Sequence, residues 1–143
     1  MTTSALQSCI EAIADIVGVL SGVKQAPDYP PEKASAFPFV AVMPWSGELE
    51  FGAVSDTGGI KRGLHDIAVE VHINRKMLPL DVQKAMLYSD SVPNALMANK
   101  TLSGTCSCFE RITYEMGDMG WGNIQTLGFR FIIRNIKIES NIT

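Results

Sequence analysis

His65-Asp66-Ile67-Ala68-Val69-Glu70-Val71-His72-Ile73 alternates without a break. His65, Ile67, Val69, Val71 and Ile73 fall on one face. Asp66, Ala68, Glu70 and His72 fall on the other, joined by Asn74. This is the period of a strand with one side against a core. Read on its own, the pattern puts His65 at the core edge and His72 on a solvated face, with Asp66 and Glu70 beside it as ordinary surface polar residues.

Upstream, Phe37-Pro38-Phe39-Val40-Ala41-Val42-Met43 is apolar on both faces and is closed by Trp45. Such a run suits a strand covered on one side by its own helix and on the other by a neighbouring subunit. Between the two strands, residues 46 to 62 carry Gly47, Gly52, Gly58 and Gly59 among polar residues, with room for a brief strand from Glu48 to Phe51. A connection of that length in a compact domain is usually functional or mobile. It is the segment expected to do more than fold.

The N-terminal segment reads as a helix. Leu6, Cys9, Ile10, Ile13, Val17 and Leu20 recur at helical spacing after Ser4-Ala5-Leu6-Gln7, which has the form of a capping box, and Ser21-Gly22 stops the run. A short strand over Val23 to Ala26 follows. Pro27, Pro30 and Pro31 then exclude helix and central strand alike.

Downstream, Leu78 to Val92 reads as a second helix, with Val82, Ala85 and Met86 on its buried stripe. Pro93 interrupts it and starts an extra turn through Met97, capped by Ser91. Thr105 to Glu115 reads as a strand, Met116 to Gly122 as a Gly-rich turn, and Ile124 to Ile138 as a long final strand. In that strand the apolar phase Leu127, Phe129, Phe131, Ile133 shifts to Ile136 and Ile138. The shift marks either a bulge or a tail that leaves the sheet. Helix, grouped strands, helix and two strands give an α+β fold: an antiparallel-rich sheet with two main helices on one face, in one domain over residues 1–143.

Composition narrows the function classes. Apolar residues make up 46% of the 143 and charged residues 19%, below the ~25% usual for soluble domains, which hints at surface hidden in an oligomer. The net charge of −3 gives no electrostatic reason to hold nucleic acid. Apolar runs fall far short of a membrane span. Met1-Thr2-Thr3-Ser4 lacks the basic start of a signal peptide, so no export signal is expected. Cys9, Cys106 and Cys108 read as free thiols of a protein made in a reducing cytoplasm. On a strand Cys106 and Cys108 would point the same way yet be poorly placed to bridge.

No catalytic or metal constellation emerges. His65 and His72 lie on opposite strand faces and cannot converge. Cys106-x-Cys108 lacks the spacing and second ligand pair of a zinc site. Gly117-Asp118-Met119-Gly120-Trp121-Gly122 sits between strands, with no helix N-terminus to hold a phosphate, so it reads as a hairpin connection. No catalytic residue, metal or cofactor is expected.

Three stretches, taken together, resemble a known family. Val23-Lys24-Gln25-Ala26-Pro27-Asp28-Tyr29-Pro30-Pro31-Glu32 with Phe37-Pro38 resembles the opening after the first helix in one group of phage tail terminators. Arg62-Gly63-Leu64-His65, leading into Val69-Glu70-Val71-His72, is similar to that group's central strand. Tyr114-Glu115-Met116-Gly117, Trp121-Gly122 and Thr126-Leu127-Gly128-Phe129-Arg130-Phe131 are similar to its C-terminal hairpin. The order holds from about Ser4 to Ile138.

The resemblance implies a non-enzymatic subunit of the virion, assembled in the host cytoplasm. It would form a homohexameric ring at the tail–neck junction, stop growth of the tail tube and face the head–tail connector or stopper protein. Genomic DNA would pass through the lumen without specific binding. Trp45, Glu48, Glu50, Phe51, Arg62 and Trp121 are the residues expected at subunit or tube interfaces, and Glu48, Glu50 and Asp56 those expected toward the lumen. The rival readings are another neck protein, such as a head-completion or stopper protein, and a small-ligand domain or enzyme using the Gly-rich loop and His72.

Overall fold

A computed structural model describes residues 4–27, 36–55, 58–76 and 78–142. The chain forms helix α1 (Ala5–Gly18), strands β1 (Phe39–Ser55) and β2 (Gly58–Asn74), helices α2 (Leu78–Met86) and α3 (Tyr88–Met97), and strands β3 (Arg111–Trp121) and β4 (Ile124–Ile142). The four strands make one sheet in the order β1-β2-β4-β3, antiparallel throughout. The fold is α+β, with the helices on one face of that sheet.

Ser4 opens α1 as its spacing predicts: its hydroxyl accepts the Gln7 amide at 3.0 Å. The return half of the box does not form, because the Gln7 side chain turns to Glu11 instead, at 3.4 Å. Cys9, Ile10, Ile13, Ala14 and Val17 are buried along one stripe. They pack with Val40 and Val42 of β1, with Ile67, Val69, Val71 and Ile73 of β2, and with Phe129, Phe131, Ile133, Ile136 and Ile138 of β4. From α2 and α3 the same core receives Ala85, Tyr88, Val92 and Leu96.

The second helix is broken at Leu87 and not at Pro93, which lies inside α3. Ser89 and Ser91 hydroxyls donate to the Met86 and Leu87 carbonyls, at 2.7 and 3.2 Å, and so satisfy acceptors at the break. Ser91 therefore bonds backward and does not cap. Val23 to Ala26 contributes a single parallel bridge, Gln25 to Phe39. Of the three prolines near it, Pro30 and Pro31 lie outside the described residues.

Two sequence boundaries move. Residues 46 to 62 are not a loop: β1 runs to Ser55 and β2 begins at Gly58, and the pair extends the sheet as an arm. Likewise, Thr105 to Glu110 is turn and irregular chain, and β3 begins at Arg111 and carries the Gly-rich stretch through to Trp121. The connection itself is only Gly122-Asn123, with Gly122 at φ 60°, the conformation a two-residue type II′ turn needs at its first position. Both glycine-rich stretches are strands because the partner strand supplies an antiparallel ladder, which overrides their weak β-propensity.

The phase shift in β4 is a bulge. His65 pairs with Ile136 and Ile67 with Ile133, so β4 holds one extra residue there, and Asn135 takes φ 56°. The strand stays in the sheet to Ile142. A second bulge lies opposite in β1, where Pro44 pairs with Ile67 and Ser46 with Asp66, leaving Trp45 as the extra residue.

Candidate functional site

The two bulges divide the sheet into a body under the helices and a three-stranded arm. The arm comprises residues 46–55, 58–66 and 136–142. Strand alternation puts Leu49 and Phe51 on the helix side of the sheet, across from Gly63 and Lys61. Close to the body Ile136 and Ile138 are buried on that face, but farther out Leu49 and Phe51 are 50% and 60% exposed. Glu48 and Glu50 lie on the reverse face, across from Leu64 and Arg62. Arg62 is ion-paired to Glu139 at 3.0 Å.

Thus four of the six expected interface residues, Glu48, Glu50, Phe51 and Arg62, are brought together on the arm. Trp45 stands at its root in the β1 bulge, 45% exposed, with the Arg130 guanidinium 5.1 Å from its ring centroid. Trp121 is not with them. It ends β3 at the other end of the sheet, half-buried against Phe39 and His72, with ring centroids 5.2 and 5.5 Å away. Asp56 lies outside the described residues.

Trp121 also explains a correction. His72 is not a surface residue but fully buried, and Glu70 is 5% exposed. Phe39, Ala41, Met43 and Trp121 pack on the face of the sheet away from the helices and cover this end of it. The polar groups beneath are joined in a chain. His72 Nδ1 is 2.6 Å from Thr126 Oγ1, and Nε2 is 2.9 Å from Glu70 Oε1. Arg130 Nε donates to Glu70 Oε2 at 2.9 Å, and its Nη1 donates to Glu115 at 2.6 Å. Glu70, Arg130 and Glu115 are direct cross-strand neighbours on β2, β4 and β3, so the register itself aligns this row.

One step toward the arm, Asp66 on β2 holds both bulges. It accepts from Ser46 of β1 at 3.1 Å, and from Arg134 Nη1 at 2.9 Å and the Asn135 amide at 3.0 Å in β4. Burial works to raise the Asp66 pKa, but these donors outweigh it and hold the carboxyl below its usual range. Glu70 behaves the same way: burial opposes, while His72 and Arg130 prevail and lower its pKa. Asp118 pairs with Arg75 at 3.4 Å. Strand alternation sets Asp66, Glu70 and His72 on one face but does not disclose that Glu70 and His72 are buried. The available signal was Arg130 and Arg134, four residues apart on the matching face of β4.

Chemically this face is a structural network. A shallow cleft of about 330 Å³ beside it is lined by Glu70, Glu115, Met116, Gly117, Asp118, Met119, Gly120 and Arg130. Its carboxylates already hold arginine partners. Among the described residues, no group of three or more metal-ligating side chains converges. The three thiols are free, with Cys9 and Cys106 buried and Cys108 exposed. Cys106 lies in the irregular chain before β3, not on a strand beside Cys108. Among the described residues, no helix is long and apolar enough to cross a membrane. No known family model matches the chain, and no curated protein matches it.

Proposed function

We propose that this chain is a structural subunit of a long-tailed phage, a tail terminator that forms a hexameric ring on the head-proximal end of the tail tube. The observation that carries this reading is the arm. Beyond Ile136 and Ile138 the arm leaves Leu49 and Phe51 exposed on one face, apolar surface that none of the described helices buries. It gains a function once another protein surface covers that face.

On this reading the ring ends tube growth on one side and meets the head–tail connector or stopper protein on the other. DNA passes through the lumen without specific binding, in keeping with the net charge of −3. The residues joined on the sheet's second face support the reading as well. Asp66 joins Ser46 of β1 to Arg134 and Asn135 of β4 where the arm leaves the body, which ties the arm to the body at its root.

The ligand or enzyme reading is less well supported, because both ring nitrogens of His72 are engaged in a fully buried site. The test is a phage carrying a stop codon in this gene, viewed by negative-stain microscopy. Overlong tubes without heads are expected. Normal-length tails beside DNA-filled, unattached heads would move the subunit to the head side of the neck, and intact infectious particles would overturn a structural role.

A further inference from the structure

From the geometry we infer which two surfaces of the chain join in the ring: the arm of one copy, through Leu49, Phe51 and Lys61, docks on the outer face of the α2–α3 break in the next, at Met86, Leu87 and Asp90. The inference rests on the ring reading above and specifies its contact.

The chain has two exposed apolar surfaces suited to this. The first is the arm face already described. The second surrounds the helix break, where Leu80, Met86 and Leu87 are 50%, 55% and 73% exposed. Asp81, Ala85, Tyr88 and Val92 form the buried stripe of this helix pair, so Met86, Leu87 and Asp90 face outward on the opposite side.

The two surfaces lie at opposite ends of the sheet. Leu80 lines a cleft with Ile73 and Asn74, at the end of β2, while the arm begins at Asp66. The eight intervening steps of strand separate them by roughly 25 Å. A copy therefore cannot cover its own helix patch with its own arm. A contact between two different patches of identical chains can repeat head to tail and close as a ring. A twofold dimer could satisfy it only by making the arm-on-patch contact twice, reciprocally, and would sediment as two copies.

Charge selects the pairing. On the second face of the sheet Asp66, Glu70 and Glu115 are all ion-paired. Around the two apolar patches the pattern differs. Lys61 stands directly across from Phe51, and Asp90 follows Met86 and Leu87 by one helical turn. Neither makes an ion pair among the described residues. Apolar contact with unpaired charges of opposite sign at its rim is the composition of a specific interface.

The test uses the full chain with Lys61→Asp, Asp90→Lys and the double variant, followed by sedimentation velocity, with circular dichroism to verify folding. Each single variant sets like charges together, so its self-association should weaken by about tenfold or more. The double variant should recover. An equimolar mixture of the two singles should also recover, because alternating copies present opposite charges at every contact and close an even-membered ring. Single variants that assemble like the unaltered chain, or a mixture that does not recover, would overturn this contact and leave the ring reading standing. An unaltered chain that stays monomeric at every accessible concentration would overturn both.

Discussion

Asp66 accepts the backbone amide of Asn135 at 3.0 Å, and through that bond a β2 carboxylate fixes the bulge in β4. Asn135 has φ 56° and is the extra residue between the Ile133 and Ile136 pairings, so the ladder alone cannot satisfy it. Asp66→Ala should leave that amide and the Arg134 guanidinium without their acceptor, and cost about 2–3 kcal/mol. Asp66→Asn keeps an acceptor oxygen and should cost about half as much. Urea denaturation of the two variants checks the order; equal losses would mean that charge and not the amide bond carries the effect.

Glycine positions give a sharper contrast. A Cβ at Gly128 would overlap the Val71 carbonyl of the adjoining strand, which is backbone and cannot move without parting β2 from β4. At Gly63 the atoms nearest an added Cβ belong to the His65 ring, a side chain and not backbone. Gly128→Ala should therefore destabilise by about 4 kcal/mol or more, or prevent soluble expression, while Gly63→Ala should cost about 1 kcal/mol. Thermal melts of both variants decide it, and a mild Gly128→Ala would contradict the close approach of the strands.

The buried row on the second sheet face predicts coupling. An ionised Glu70 only accepts, so His72 Nε2–H donates to it, and Arg130 holds the second carboxylate oxygen. His72→Ala removes a fully buried ring and unpairs Thr126, at a cost of about 3 kcal/mol. Glu70→Gln with Arg130→Gln should destabilise by less than the sum of the singles, with an interaction energy of about 1–2 kcal/mol. Additive losses in this double-mutant cycle would show that the pair is not coupled.

How far the sequence discloses this arrangement varies by feature. Strand alternation from His65 to Ile73 places each side chain on its face, the Ser4 cap starts α1, and the phase shift after Ile133 marks the bulge. Depth is different. Whether Glu70 and His72 are covered depends on Phe39 and Trp121, which arrive from distant segments, and alternation carries no information about that. The arm escapes detection because Gly47, Gly52, Gly58, Gly59 and Gly63 dilute its pattern to a few residues, Glu48 to Phe51. For the residues proposed at an interface the same limit applies: Phe51 and Arg62 lie in the diluted stretch, and their nearness follows from the β1–β2 register.

Acid should destabilise the fold in two stages. Asp66 and Glu70 are held below the ordinary carboxylate range, so their contribution is fully present above the unfolded values near ~4 and is lost as pH falls through the folded values. His65 is also lowered, by burial first and then by Lys61, so the unfolded chain binds its proton more readily. Stability should begin to decline below the unfolded histidine value of ~6.5 and drop more steeply near pH ~4. Denaturation midpoints measured across pH 3 to 8 check this, with His65→Gln removing only the upper stage. A single steep loss unaffected by His65→Gln would contradict it.

Thiol reactivity gives the last prediction. Cys9 and Cys106 lie together in the core, and the neighbouring Cys9 thiol together with burial pushes the Cys106 thiol up, away from its reactive thiolate form. Cys108 is exposed where it bridges to Lys137 at the start of the β3 side of the sheet. A disulfide-exchange reagent added to the native chain should label one thiol quickly, and the other two only as fast as the core opens. Cys108→Ser should abolish the fast phase and leave the slow one unchanged. Rapid labelling of more than one thiol would mean that α1 does not seal Cys9 and Cys106 beneath it.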